Sequence, residues 1–578
     1  MKYPKLYSEN SYRQMVDVFK GYNHNLRISD GEFFDMKNIT SDTCPVLSPR
    51  KKRGVYASPE LPTGIIAKDS LCYVDGTEFV MNEYRIDMGL NDEPKQLVSM
   101  GAYVIILPDK KFINTENIDD RGSIDAEFAT YDSTSLALCK IDGSAYEVEY
   151  PPSSTAPENP GNMALWIDTS SEPHTLKQWS ESSEMWVSIA TTYIKIKSSG
   201  INLLFEKFDG IEISGLAGTE AASLEGANVV WEKGTDYIVV AGILDKVVNL
   251  DSTITISRKM PIIDFVVESE NRLWGCRYGT SLKGEIVNEV YASKLGDFKN
   301  WNCFMGLSTD SYAASVGTDG QFTGACKDPL GNPLFWKENY FHKVYGNYPA
   351  NFQIQTTSCR GVQRGCDRSL AIVNETLFYK ARSGIMAYDG SLPTEASYAL
   401  GNEVYSDAVG GSIGNKYYVS MKDVTGTYQL FVYDMAKGLW HKEDDLHVDS
   451  FCTCRGELYA ITGNNIITML GSGTQDIADT EWMVQTGEIG ISSPDMKYLS
   501  RLTVRLMLEP GATADIYVQY DFSEEWEHQV TLTGTSLRSF SIPIRPKRCD
   551  NLKLRIEGKG MAKIYSFTKT IEQGSELS

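Results

Sequence analysis

Chemistry-bearing residues gather at a few places in the chain. His441-Lys-Glu-Asp-Asp-Leu-His447 puts two histidines and three carboxylates within seven residues, a set able to ligate zinc or manganese. Its position between a strand ending at Trp440 and another starting near Val448 reads first as a solvated turn. Cys452 and Cys454 stand two apart and would share one side of a strand, but no second cysteine or histidine pair lies near them in sequence. Arg272, Arg277, Arg360 and Arg364 are candidates for the arginine cluster of a sialidase-type sugar-cleaving site, which would also need a tyrosine nucleophile or two opposed carboxylates. The favoured reading gives these arginines to salt bridges between subunits. Trp166, Trp179 and Trp186 fall in one short segment. Their flat faces could stack sugar rings, or they could supply the core of a domain too small to have another.

Recognised catalytic spacings are missing. The chain has no Gly-x-Ser-x-Gly elbow, no His-Glu-x-x-His, no phosphate loop and no calcium loop. Gly215-Leu-Ala-Gly-Thr-Glu is too short to count as a dinucleotide fingerprint. The expectation is a non-enzymatic chain with no catalytic residue, no cofactor and no metal.

The elements that would position these residues are strands. Across 578 residues, 42% are hydrophobic and 23% charged, ordinary values for a folded chain of about three domains. The 48 glycines, 32 tyrosines and 21 phenylalanines favour pleated surfaces and tight turns over helices. A formal charge of −21 argues against a protein that grips nucleic acid through phosphates. It suits plain solubility, and equally a conduit wall along which DNA slides without specific binding. The start of the chain lacks a basic segment followed by an apolar core, and no later stretch has the ~18 apolar residues of a membrane span. Synthesis and assembly in a cytoplasm are therefore expected, and eleven scattered cysteines fit reduced core thiols.

A short apolar strand recurs at Leu71, Tyr103, Leu273, Leu334, Leu377, Tyr417 and Leu458. The last four starts are 43, 40 and 41 residues apart, the period of a four-stranded propeller blade. This predicts an all-β fold: a β-propeller of about five to seven blades over residues 59–110 and 259–477, interrupted by a β-rich insertion at 111–258. A Pro-rich linker at 150–160 leads into a tryptophan-rich module at 161–197 within that insertion. Residues 1–58 read as an extended N-terminal arm. Strict alternation at Leu502, Val504, Leu506 and Leu508, followed by a turn at Glu509-Pro-Gly511, opens a C-terminal β-sandwich at 478–578. The arm carries apolar Phe19, Tyr22, Phe33 and Phe34 and basic Arg50, Lys51, Lys52 and Arg53, candidates for docking onto the acidic body of a neighbouring subunit.

Four stretches carry a family resemblance: Gly21 to Gly54, Gly361-Val-Gln-Arg-Gly-Cys-Asp-Arg-Ser-Leu, Ile385-Met-Ala-Tyr-Asp-Gly-Ser-Leu-Pro and Ile542-Pro-Ile-Arg-Pro-Lys-Arg-Cys-Asp-Asn-Leu. With them the chain resembles virion structural proteins of phages and prophages of Gram-positive gut bacteria. In architecture these are similar to the propeller tail-nozzle proteins of short-tailed phages. The resemblance implies a tail or neck component of the virion, forming a ring, hexameric by analogy, around the DNA conduit and touching other tail or neck proteins during DNA ejection. The segment around Trp166, Trp179 and Trp186 resembles small tryptophan-rich modules similar to chitin-binding ones, which implies contact with host surface glycan. The alternative is a receptor-binding, glycan-binding or glycan-cleaving propeller of the tail.

Overall fold

The computed structural model describes residues 11–130, 134–281, 284–472, 480–490, 495–521 and 523–573. Among them are strands and a few single-turn 3₁₀ segments, with no α-helix. Seven antiparallel four-stranded sheets are arranged as a closed propeller. Their innermost strands are Pro62–Ala67, Gln96–Met100, Phe265–Ser269, Phe322–Lys327, Ala371–Val373, Ser406–Ile413 and Ser450–Cys454, numbered here as blades 1 to 7. Blade 7 packs its inner strand on that of blade 1, closing the ring.

The second strand of each blade is sandwiched between neighbouring blades, so both of its faces must be apolar. Pro333–Lys337 is buried at every position, and Thr376–Ala381 and Lys416–Lys422 nearly so. That is why these strands stand out in the sequence as unbroken apolar runs, and all seven recurring segments lie on them. The outer strands are short and polar, and they mislead. Lys111–Asn114 and Arg121–Ser123 complete blade 2 although the sequence reading assigned them to the insertion, which therefore runs from 124 to 264.

The insertion is one eight-stranded sheet plus a small four-stranded one. Ala126–Ala129 and Thr134–Cys139 lie near opposite edges of the large sheet although few residues separate them, so the sheet curls on itself. Leu136, Ile194, Ile196, Phe205, Ile213, Val230 and Ile256 fill the curl. Leu165, Ile167 and Leu176 of the tryptophan-rich sheet join this core. The insertion is fixed to blade 3 through the buried Asn300, which accepts from the Gly210 amide at 2.9 Å and donates to Asp209 at 2.8 Å. Asp209 also pairs with buried Arg258.

The C-terminal sandwich is organised by a single 24-residue strand, Lys497–Tyr520. Its first half pairs with Ala562–Gln573, its second with Leu552–Lys559, and Glu527–Ile542 follows it along both. Leu502, Val504, Leu506 and Leu508 are buried on one face. The expected turn at Glu509-Pro-Gly511 is instead a break in register within one bent strand, with Gly511 supplying φ +85°.

Residues 11–57 of the expected arm are built into the fold. Ser11–Val16 pairs with the sandwich strand Ala562–Gln573, and Glu32–Lys37 pairs with Glu481–Thr486. Gly54–Ala57 is the outermost strand of blade 7. The physical reason is unpaired backbone: the sandwich sheet and the last blade leave strand edges open, and the start of the chain fills them with three strands in the one and one in the other.

Candidate functional site: the axial pocket of the propeller

The inner strands start at one face of the propeller, and the connections that lead into them converge around the axis. There they enclose a cavity of about 470 Å³. Ile65 of blade 1, Leu97 of blade 2, Phe265 of blade 3 and Ala325 of blade 4 form much of its apolar wall, with Ser450 from blade 7. Its polar lining is Lys95, Gln96, Lys110, Asp264, Asp367 and Arg368.

Most of these polar groups are committed to structure. Lys95 is fully buried and pairs with Asp109 at 2.6 Å. Lys110 donates to Asp125 at 3.0 Å and to the Met260 carbonyl at 2.7 Å. Gln96 donates to the Val266 carbonyl at 2.7 Å and accepts from the Val266 amide at 3.3 Å, locking blade 2 to blade 3.

The two carboxyl groups are different. Asp264 is exposed at the open mouth, immediately before the inner strand of blade 3, and accepts one hydrogen bond from the Tyr278 amide at 2.8 Å. Asp367 is half-buried in the turn Asp367–Ser369 that leads into blade 5. Neither has an ion-pair partner within reach among the described residues. Desolvation holds both above the usual carboxylate range, against the opposing pull of Arg368 on Asp367 and of the Tyr278 amide and Arg277 on Asp264. A carboxyl shifted upward by desolvation is suited to donate a proton to a leaving oxygen, and an ionised partner to stabilise or attack the opposite side.

The residues singled out in the sequence fall elsewhere. Arg272 is buried and donates to the Ser293, Ser308 and Asp310 carbonyls at 2.6–2.9 Å, so it braces the loop of blade 3 and is not free to bridge subunits. Arg360 pairs with Glu395 at 3.3 Å on the surface, and Arg364 is exposed. Arg277 lies near Asp264, but the four do not form one cluster. His441 is buried on the outer strand of blade 6, with burial depressing its pKa to about 3, while His447 stacks on Tyr428 at the surface. The two do not converge on a metal site. Cys452 and Cys454 are both free thiols.

In the tryptophan-rich sheet, Trp186 meets Trp166 and Trp179 edge to face, with centroids 5.4 and 5.6 Å apart. Trp166 is buried and donates to the Ser153 carbonyl at 3.0 Å. Trp179 lines a shallow depression with Met163 and Val187.

The proposed docking residues are used within the chain. Phe19, Tyr22 and Phe33 are buried in the core shared by sandwich and propeller, and Phe34 stacks on His24 at 4.1 Å. Arg50 and Arg53 bind Glu443 and Asp444 of the same chain at 2.7–3.4 Å. Burial opposes charge on Arg53, but the two carboxylates overcome it and raise its pKa. Lys51 is exposed and Lys52 partly so. The basic run thus serves mainly to fasten the N-terminal segment to blade 6.

No protein-family model matches the chain, and no curated protein does. Solved structures that match include an exo-β-1,3-galactanase from Phanerochaete chrysosporium with galactose, 8% identical, covering 53% of this chain and 94% of that one at a TM-score of 0.20. A GH43 glycoside hydrolase with endo-xylanase and exo-arabinofuranosidase activity is 9% identical, covering 54% and 97% at 0.20. The extracellular domain of a hybrid two-component system from B. thetaiotaomicron is 9% identical, covering 93% and 99% at 0.23. The expectation of a non-enzymatic chain is not kept, since glycoside hydrolases stand among the matching structures; at 8–9% identity the likeness bears on the fold and assigns no activity to this chain. A search for short motifs misses this pocket, because Asp264 and Asp367 belong to different blades and no fixed spacing relates them. One signal was present: Asp367 and Arg368 lie inside the Gly361–Leu370 stretch that carried the family resemblance.

Proposed function

We propose that this protein binds a glycan in the axial pocket of its propeller and acts on it by acid–base chemistry through Asp367 and Asp264. The observation that carries the reading is the pair of carboxyl groups without ion-pair partners among the described residues, both raised by desolvation and lining one cavity of mixed character. The apolar wall suits the C–H faces of a sugar ring, and the half-buried Asp367 is the better proton donor of the two.

The test is turnover and binding of wild type, D367N and D264N on a panel of bacterial wall and capsule oligosaccharides. Each variant should lose roughly 10²- to 10⁴-fold in kcat/KM. Wild-type rates in both variants, or no glycan bound or cleaved by wild type, would overturn the reading. Stability gives an independent check with a defined sign. Asp367 has a raised pKa when folded, so its contribution favours the native state below the unfolded carboxylate range and is lost as pH rises through its folded pKa. D367N removes that loss, and its Tm at pH 7 should lie above wild type, with the difference vanishing at low pH.

The setting proposed for the propeller is a phage tail or neck, as one subunit of a ring around the DNA conduit. The specific support is mechanical: residues 11–57 join the sandwich to blade 7, giving the subunit the internal bracing a particle component needs. Native mass spectrometry of the purified chain, together with its location in virion maps, tests this; a strict monomer confined to the particle's outer surface would count against it.

A further inference from the structure

We infer that Arg368 makes the axial pocket selective for saccharides bearing a carboxylate. The inference rests on the glycan reading above and assigns its substrate class. Three cations line the cavity, and two are spent: Lys95 on Asp109, Lys110 on Asp125 and the Met260 carbonyl. Arg368 uses one donor, Nη1, on the Asp449 carbonyl at 2.8 Å, and no carboxylate lies within ion-pair distance of it among the described residues. A guanidinium carries five N–H donors in a planar fork. That single bond fixes its orientation and leaves most of the fork for a ligand.

A half-buried guanidinium without a protein carboxylate is incompletely compensated, and a planar anion that accepts two parallel hydrogen bonds supplies what it lacks. The charge count of the pocket limits that anion. Beyond the two spent pairs, the lining offers one cation against Asp264 and Asp367. With one aspartate protonated and one ionised these three groups are neutral overall, so a carboxylate adds a single negative charge held directly on Arg368, whereas a phosphate dianion would add two beside the aspartates. Sugar acids of the uronate or sialate class fit this arrangement: the carboxylate on Arg368, the ring against Ile65, Leu97 and Phe265, and the glycosidic oxygen toward the carboxyl groups.

The experiment is titration of the intact protein with matched acidic and neutral probes, trigalacturonate against galactotriose and sialyllactose against lactose. Wild type should bind at least one acidic member roughly tenfold or more tightly than its neutral partner, a margin ordinary for one charge-assisted pair. R368Q should lose that preference while keeping its affinity for the neutral probe. R368K, which retains the charge but not the fork, should keep only part of the preference and carries the test should R368Q fail to fold. Equal binding of acidic and neutral probes by wild type, or a preference unchanged in R368Q, overturns this inference and leaves the glycan site standing. Binding of no probe of either kind overturns this inference, and binding of no glycan across the wider panel overturns the site as well.

Discussion

A chain lacking residues 1–58 should fail to accumulate as a folded protein. Removing it takes the outer strand from blade 7, where Val55 and Ala57 pair with Ile467 and Ile466, and three strands from the sandwich sheet. It also removes Val16, Phe19, Tyr22, Phe33, Met36 and Ile39 from the shared core. Each such side chain is worth about 2 to 5 kcal/mol on truncation, and six together are of the same size as, or larger than, the ~5–15 kcal/mol that holds a typical domain folded. The exposed strand edges would also template aggregation. Soluble yield, circular dichroism and limited proteolysis of the truncated chain check this. A cooperative melt like that of the intact protein would show that the segment is dispensable and restore it as a docking arm.

Arg53→Ala should cost about 3–5 kcal/mol, because it leaves Glu443 and Asp444 with one partner fewer in a nearly closed site. Arg53 contacts Glu443 at 2.8 Å and Asp444 at 2.7 Å, and Arg50 reaches the same two carboxylates at 3.4 and 3.1 Å. The side chain of Glu443 is only 3% exposed. Glu443→Ala should be comparably costly, and the double variant should cost clearly less than the sum, since the residues share one network. Salt should change these values little, because a buried pair is poorly screened. Exposed Lys51→Ala should stay within about 0.5 kcal/mol. Urea denaturation at low and high ionic strength measures all four. A loss under 1 kcal/mol for Arg53→Ala, or one abolished by salt, would mean the cluster is superficial.

Much of the fold was legible because burial on both faces leaves a mark in composition. The second strand of every blade must be apolar throughout, so Leu334-Phe-Trp, Leu377-Phe-Tyr and Tyr417-Tyr-Val repeat at blade length. The sandwich strand containing Leu502, Val504, Leu506 and Leu508 was equally visible, because one wet face enforces a period of two. Outer strands carry no such constraint. Lys111–Asn114 and Arg121–Ser123 went to the wrong domain for that reason.

What only the tertiary structure decided are the relations between distant segments. The Gly54 amide donates to the Thr468 hydroxyl across 414 residues, and nothing in Gly54–Ala57 announces that partner, since backbone groups pair alike whatever side chains they carry. The same holds for charge. Arg50-Lys-Lys-Arg53 reads as a solvated basic run until blade 6 places Glu443 and Asp444 against it. Asp264 stands far from Asp367 and Arg368 in sequence; the closing of the blades sets all three around one cavity, where none has an ion-pair partner among the described residues.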